Sequence, residues 1–259
     1  MAVSGGWMGR RCAAAVAAGM LFFAGAAMAQ TSEERAAARE LMTKHGNAVV
    51  FALGTIKIRV NQGGREVQNQ DQRVQTLVTI LDSSGLGVMS LTSVDPSELI
   101  LAQLSRGRGA AAEVSVSTEP SELRYRLPDG KEIPVRVVLR DKDLDLAFVR
   151  PVEKPATPMT AIDATTGRPA VVDPVVVLQR LPESAGWQST ALFHSVQAVV
   201  EKPRTFFILT GGIIGSAVFD TRGRFVGVIL RLKNEADAAT APPIVLPASD
   251  IREVAKQAN

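Results

Sequence analysis

Along most of this chain the apolar positions come in short runs of about four to eight residues, either alternating with polar residues or continuous and β-branched. Clusters of Gly, Pro, Asp, Asn and Ser separate them. The pattern predicts strands at Val49–Val60, Val74–Leu81, Leu86–Leu91, Leu123–Leu127, Ile133–Leu139 and Leu144–Val149. A second set follows at Val171–Leu178, Ala191–Val200, Thr205–Leu209, Ala217–Phe219, Phe225–Leu230 and Ile244–Leu246. Asp82-Ser83-Ser84-Gly85, Pro128-Asp129-Gly130-Lys131 and Asp220-Thr221-Arg222-Gly223 read as hairpin turns, because glycine there supplies the positive φ that a tight reversal requires. Asn61–Asp71 and Ala102–Glu113 lack a period and read as polar loops. The second loop carries Arg106 and Arg108 as a candidate anion contact, a solvated surface loop being the simpler reading.

Helical signals are confined to the two ends of the patterned region. Thr31–Lys44 has Thr31 as N-cap, Glu33 and Glu34 in its first turn and Gly46 beyond its end. Ser249–Lys256 is expected to be a closing helix capped by Ser249. Pro151–Pro169 holds prolines at 151, 155, 158 and 169 with little apolar period, so it reads as a joint between two β units. Two clusters of short strands on either side of such a joint predict two packed β-barrels.

Residues 1–29 change the picture of where the chain works. Arg10 and Arg11 precede a small-residue apolar run, Cys12–Ala27, and Ala27-Met28-Ala29 closes it, the layout of a cleaved secretory signal. The run is about 16 residues, short of the roughly 20 that span a bilayer. Cleavage would leave 230 of the 259 residues, with 27 basic against 26 acidic side chains. So balanced a chain offers no electrostatic case for nucleic acid or an anionic membrane. The single cysteine, Cys12, leaves with the signal, so the mature chain is expected to have neither disulfides nor thiol catalysis. No His/Cys/Asp cluster has metal-ligand spacing and no glycine-rich loop lies between a strand and a helix, so no cofactor is expected.

The candidate chemistry lies in Gly211–Arg231, where a glycine-rich loop, Gly211-Gly212-Ile213-Ile214-Gly215-Ser216, enters a predicted hairpin. This stretch resembles the nucleophile loop of the trypsin-like serine proteases in their HtrA-type branch, where Gly-Asn-Ser-Gly-Gly-Pro leads into such a hairpin. Two further places carry the resemblance: Gly85–Val94, against Gly-Tyr-Ile-Val-Thr-Asn-x-His-Val-Val, and Asp141–Phe148, against Asp-x-x-x-Asp-Leu-Ala-Leu. It covers roughly Val49 to Leu246. It implies an all-β fold of two packed six-stranded antiparallel β-barrels with short N- and C-terminal helices. The domain organisation expected is a signal peptide at 1–29, an N-terminal helix at 30–46, a first barrel at 47–150, a linker at 151–169, a second barrel at 170–247 and a C-terminal helix at 248–259. The PDZ domain that such proteases often carry is not expected after that helix.

A serine-protease site needs a nucleophile, an imidazole to take its proton and a carboxylate to orient the imidazole. The resemblance puts Ile214 at the nucleophile, Thr92 at the imidazole and Asp145 at the carboxylate. Only the aspartate is retained, and its simplest role is to bond backbone or the Thr92 hydroxyl. A register slip would make Ser216 a fallback nucleophile, but the mature chain offers only His45 and His194 as bases. The loop also lacks the family's Asp-to-Pro stretch after Thr210, which helps shape the specificity pocket. Backbone N–H groups near Gly212 and Ile214 remain as a nest for a carbonyl or carboxylate, and Trp187 is expected to line the interdomain cleft or cover a barrel end. The expectation is therefore an exported, periplasmic or secreted pseudoprotease that binds a polypeptide or partner protein. An active hydrolase working through Ser216 and His194, and a structural subunit of an envelope complex assembled through Thr31–Lys44, are the alternatives.

Overall fold

The computed structural model describes residues 31–105, 114–231 and 243–258. Its strands are β1 (Val49–Gln62), β2 (Arg65–Ile80), β3 (Gly87–Ser90), β4 (Val114–Arg126), β5 (Glu132–Asp141) and β6 (Leu146–Pro151), then β7 (Pro174–Arg180), β8 (Ser189–Val200), β9 (Phe206–Leu209), β10 (Ala217–Asp220), β11 (Phe225–Arg231) and β12 (Pro243–Pro247). The first six close into one antiparallel barrel in the order β1-β2-β3-β6-β5-β4, and the last six into another, β10-β11-β12-β9-β8-β7. The all-β double-barrel expectation therefore holds. Closure pairs the strands around each barrel, while β1, β2 and β4 run on beyond the closed part of the first.

Helix α1 (Ser32–His45) begins with a full capping box, in which the Thr31 Oγ1 accepts from the Glu34 N–H and the Glu34 carboxylate accepts from the Thr31 N–H. Its Ala38, Leu41 and His45 are buried, and it packs on β7 and β8 of the second barrel. Helix α3 (Ala248–Ala255) buries Ala248 and Ile251. Its expected Ser249 cap is corrected: Pro247 holds the N-cap position without a side-chain bond, and the Ser249 hydroxyl bonds Asp250 inside the helix.

Two loop expectations are also overturned. Asn61–Asp71 is not a loop; β1 runs to Gln62 and β2 starts at Arg65, with Gly63 and Gly64 in positive-φ conformations between them. The polar composition that suggested a loop belongs to strand residues exposed on both faces, Arg65 to Arg73. Ala102–Ser105 lies in a third helix, α2 (Ser97–Ser105), which packs on β4. Arg106 and Arg108 lie outside the described residues.

One cluster of buried side chains runs through the first barrel and on into Val176, Leu178, Phe219, Phe225 and Leu230 of the second. A smaller one, including Val177, Val196, Phe207 and Ile229, fills the second barrel's interior. Polar pins cross the junction as well. The buried Arg180 guanidinium donates to the carbonyls of Val49 (2.8 Å), Gly46 (3.0 Å) and Trp187 (2.7 Å), and burial holds its pKa below the usual arginine value. Pro151–Pro169 is largely without regular structure, though Ile162 is in the core and Thr166 bridges to Phe225.

Candidate functional site at the barrel junction

Asp145 reaches the junction because Asp141 shapes the turn before it: the Asp141 carboxylate accepts from the Asp143 and Leu144 N–H groups, both at 3.0 Å. This is an aspartate-capped turn, which explains an Asp-x-x-x-Asp spacing in physical terms. Asp145 emerges with φ +55°, a left-handed conformation that a non-glycine residue holds at a cost of about 1 kcal/mol. Its side chain is 3 % exposed.

Four donors converge on that carboxylate. Ser90 Oγ donates at 2.5 Å and the Arg231 N–H at 3.1 Å to one oxygen; the Thr92 N–H at 2.8 Å and Thr92 Oγ1 at 2.7 Å donate to the other. The Asp145 carbonyl also accepts from the Leu91 N–H at 2.9 Å. Each donor has its own structural origin. Ser90 ends β3, Thr92 lies in the helical turn Leu91–Ser93 that follows, and Arg231 ends β11 of the other barrel. Thr92 and Asp145 are thus brought together, with a short hydroxyl occupying the place where the resemblance puts an imidazole. Ser90 and the Arg231 amide are the partners that sequence reading missed. Ser90 stands two residues before Thr92 within the matched frame, a signal that was present; the Arg231 amide, 86 residues from Asp145, had none.

The glycine-rich loop is held on both sides. Its Gly215 N–H donates to the Ile229 carbonyl (2.7 Å), and its Gly215 carbonyl accepts from Thr79 Oγ1 of the first barrel (3.0 Å). Gly215 has φ +89°, and a Cβ there would lie 2.3 Å from the Leu77 carbonyl oxygen, so the position admits only glycine without rearrangement. A Cβ on Gly212 would meet Ile229 Cδ1 at 2.2 Å, and one on Gly211 the His194 ring at 2.7 Å. The shortened loop therefore lies flat on the second barrel. Ile213 is half exposed and Ile214 partly buried. Among the described residues the N–H groups of Gly212 and Ile214 have no backbone partner.

Ser216 is fully buried and its Oγ has no hydrogen-bond partner among the described residues. His194 Nδ1 pairs with Thr210 Oγ1 at 3.1 Å, while its Nε2 is buried and has no partner among the described residues. The structure does not hydrogen-bond the two to each other. His45 is 1 % exposed, pairs through Nδ1 with the Ala161 carbonyl (3.3 Å) and stacks on Phe219. Burial lowers the pKa of both imidazoles. Trp187 makes an edge-on contact with Phe51, lies under the Arg126 guanidinium and lines a cleft of about 490 Å³ with Leu53, Arg73, Gln75 and Arg124. Among the described residues no group of acidic, His or Cys side chains has metal-binding geometry, and no helix is long and apolar enough to cross a membrane.

The model of the trypsin-like peptidase domain family matches residues 107–228. No curated protein matches the sequence. Among solved structures, a substituted form of the HtrA-type protease AlgW with a tripeptide is similar at a TM-score of 0.53 and 14 % identity. The match covers 85 % of this chain and 62 % of that one, less than two thirds of its length. At that identity the likeness is one of fold.

Proposed function

We infer that this chain, which has the trypsin-like double barrel and is similar to the HtrA-type proteases, is an exported pseudoprotease whose interbarrel cleft binds polypeptide. The observation that carries the reading is the saturated carboxylate of Asp145. In a working triad that carboxylate orients an imidazole; here Thr92 supplies two of its donors and has no group basic enough to take a proton from a nucleophile at neutral pH. Ile214 at the nucleophile position has no heteroatom to attack with. Ser216 is a poor substitute, because its Oγ is buried and is not bonded to either histidine.

Polypeptide is the ligand class that the retained scaffold favours. The cleft walled by Leu53, Arg73, Arg124 and Trp187 offers an aromatic face ringed by charges of both signs, Arg124 being paired with Glu122 and Glu132, and an extended chain can add to a strand edge through its backbone alone. Export is supported by Arg10, Arg11, the apolar run after them and Ala27-Met28-Ala29.

Cleavage of casein and of a peptide library by the mature protein tests the reading. Wild type is expected to be silent, and a Thr92→His/Ile214→Ser double variant to gain weak turnover, because an imidazole then stands beside a carboxylate already in place and the loop regains a hydroxyl. Turnover by wild type that Ser216→Ala abolishes would overturn the proposal. So would failure of a Trp187→Ala variant to weaken the binding of library peptides that wild type retains.

A further inference from the structure

Beside helix α3 lies a cavity of about 260 Å³ that both barrels and the joint between them help to wall. Leu81 follows β2, Arg150 belongs to β6, Ile162 to the joint, Phe225 to β11, and Arg252 and Ala255 to α3. The cavity shares no residue with the cleft at Trp187. One side of it is apolar and the other cationic. Arg150 donates to Ser84 Oγ (2.8 Å) and the Ala258 carbonyl (3.3 Å), and its Nε–H is buried with no acceptor among the described residues. Arg252 donates to Thr166 Oγ1 (3.0 Å) and the Ala164 carbonyl (2.5 Å), and its guanidinium lies over the Phe225 ring. All four acceptors are neutral. Among the described residues neither guanidinium forms an ion pair, and each keeps three of its five N–H donors. The acid in the lining, Asp82, turns Oδ1 to the Ser84 N–H, the Ser84 hydroxyl and the Leu86 N–H, so it reaches Arg150 only through that hydroxyl. Lys256 at the rim is bonded to Glu253. Two fixed guanidinium groups against one carboxylate leave the cavity an excess of positive charge.

We propose that this cavity binds a small organic carboxylate with an apolar body, its charge paired with Arg150 and Arg252 and its hydrocarbon part against Leu81, Ile162, Phe225 and Ala255. The planar fork of a guanidinium matches a carboxylate, and such charge-assisted bonds are the strong ones. A single negative charge balances what Asp82 leaves. A hydrophilic dianion such as phosphate would bring a second charge against Asp82 and leave the apolar side unfilled. Size agrees with this class: an apolar cavity of about 150 Å³ accommodates benzene, so this one has room for a ring and a carboxylate. Because the walls come from both barrels, the joint and α3, the occupant meets all its contacts only in the folded chain, and binding therefore stabilises that state.

Calorimetric titration and amide chemical-shift mapping of the mature protein test this, with phenylacetate as the probe. Phenylacetate is expected to bind saturably, to shift the amides of Leu81, Phe225 and Ala255, and to raise the thermal midpoint with its concentration. Phenylacetamide has the same shape without the charge, and acetate the same charge without the ring. Each should bind about tenfold more weakly or worse, as should phosphate. Arg252→Met should weaken phenylacetate about tenfold, because one charged donor group is gone. Ala255→Leu fills the apolar side and suits a helix, so it should abolish binding without lowering the urea midpoint. The proposal is overturned by an absence of saturable phenylacetate binding in the millimolar range, by phenylacetamide binding equally well, or by phosphate binding more tightly. Shifts centred on Trp187, or an Ala255→Leu variant that binds like wild type, would overturn it as well.

Discussion

Asp145 shows how a carboxylate can be held wholly by structural hydrogen bonds. Its carboxylate has four donors and 3 % exposure, so replacing it strands donors in a dry place. Asp145→Asn separates the charge from the backbone, because asparagine also tolerates the left-handed conformation. Whichever oxygen the amide nitrogen replaces, it cannot accept from the backbone N–H there, Arg231 or Thr92, whereas the neighbouring hydroxyl can turn and accept, so one backbone bond is lost together with the charge. The expected cost is roughly 2–4 kcal/mol, read as a lowered urea midpoint at unchanged slope. Asp145→Ala should cost more, since it removes all four acceptor contacts and keeps the strained φ. The aspartate itself was legible through Asp141–Phe148. Its satisfaction was only half legible, because Thr92 and Ser90 stand in one frame whereas the Arg231 amide comes from a strand of the other barrel.

At the level of elements, the hairpin turns and the ends of α1 followed from local chemistry: Asp-Gly and Ser-Gly turns, and a Thr-x-x-Glu box. The polar stretch Asn61–Asp71 did not, because a strand exposed on both faces has no apolar alternation to announce it. Residues 97–105 were missed as a helix since their apolar positions, Leu99 to Leu104, fall too close together for a clean helical stripe. How elements join is a matter of single side chains. Arg180 of β7 ties the start of β1 and the β7–β8 connection through three carbonyls. Arg180→Met keeps the apolar stem but leaves those acceptors unpaired in a buried place, and is expected to cost about 3 kcal/mol or more in chemical denaturation. Arg180→Lys should recover only part of this, because one ammonium cannot span all three carbonyls.

For the molecule as a whole, one apolar cluster crosses the barrel junction, so the barrels share their stability rather than adding it. The two histidines make that stability depend on pH. Burial lowers the pKa of both His45 and His194. Well above pH 6.5 both are neutral whether folded or unfolded, and they contribute no dependence. As pH falls through that value the unfolded chain takes up protons that the folded chain refuses, and stability declines until the folded pKa values are reached. Urea midpoints measured from pH 7.5 to 5.5 should therefore fall with pH in wild type, and the slope should flatten in a His45→Gln/His194→Gln double variant. An unchanged slope would place the titrating groups elsewhere.

The sequence by itself determined that this chain builds two β units around a proline-rich joint, because strand patterns and turn chemistry are local and survive without tertiary context. It also singled out Thr92, Asp145 and Ile214 as the positions to compare with a catalytic triad, since spacing to nearby glycines is counted along the chain. Tertiary structure alone decided what surrounds them. It brought the Arg231 amide across the junction to Asp145, buried Ser216 Oγ, and pressed Gly215 against Leu77 of the other barrel. Each of these joins residues tens of positions or more apart, and which polar atoms meet when two barrels close depends on the packing of both, a quantity that no local pattern carries.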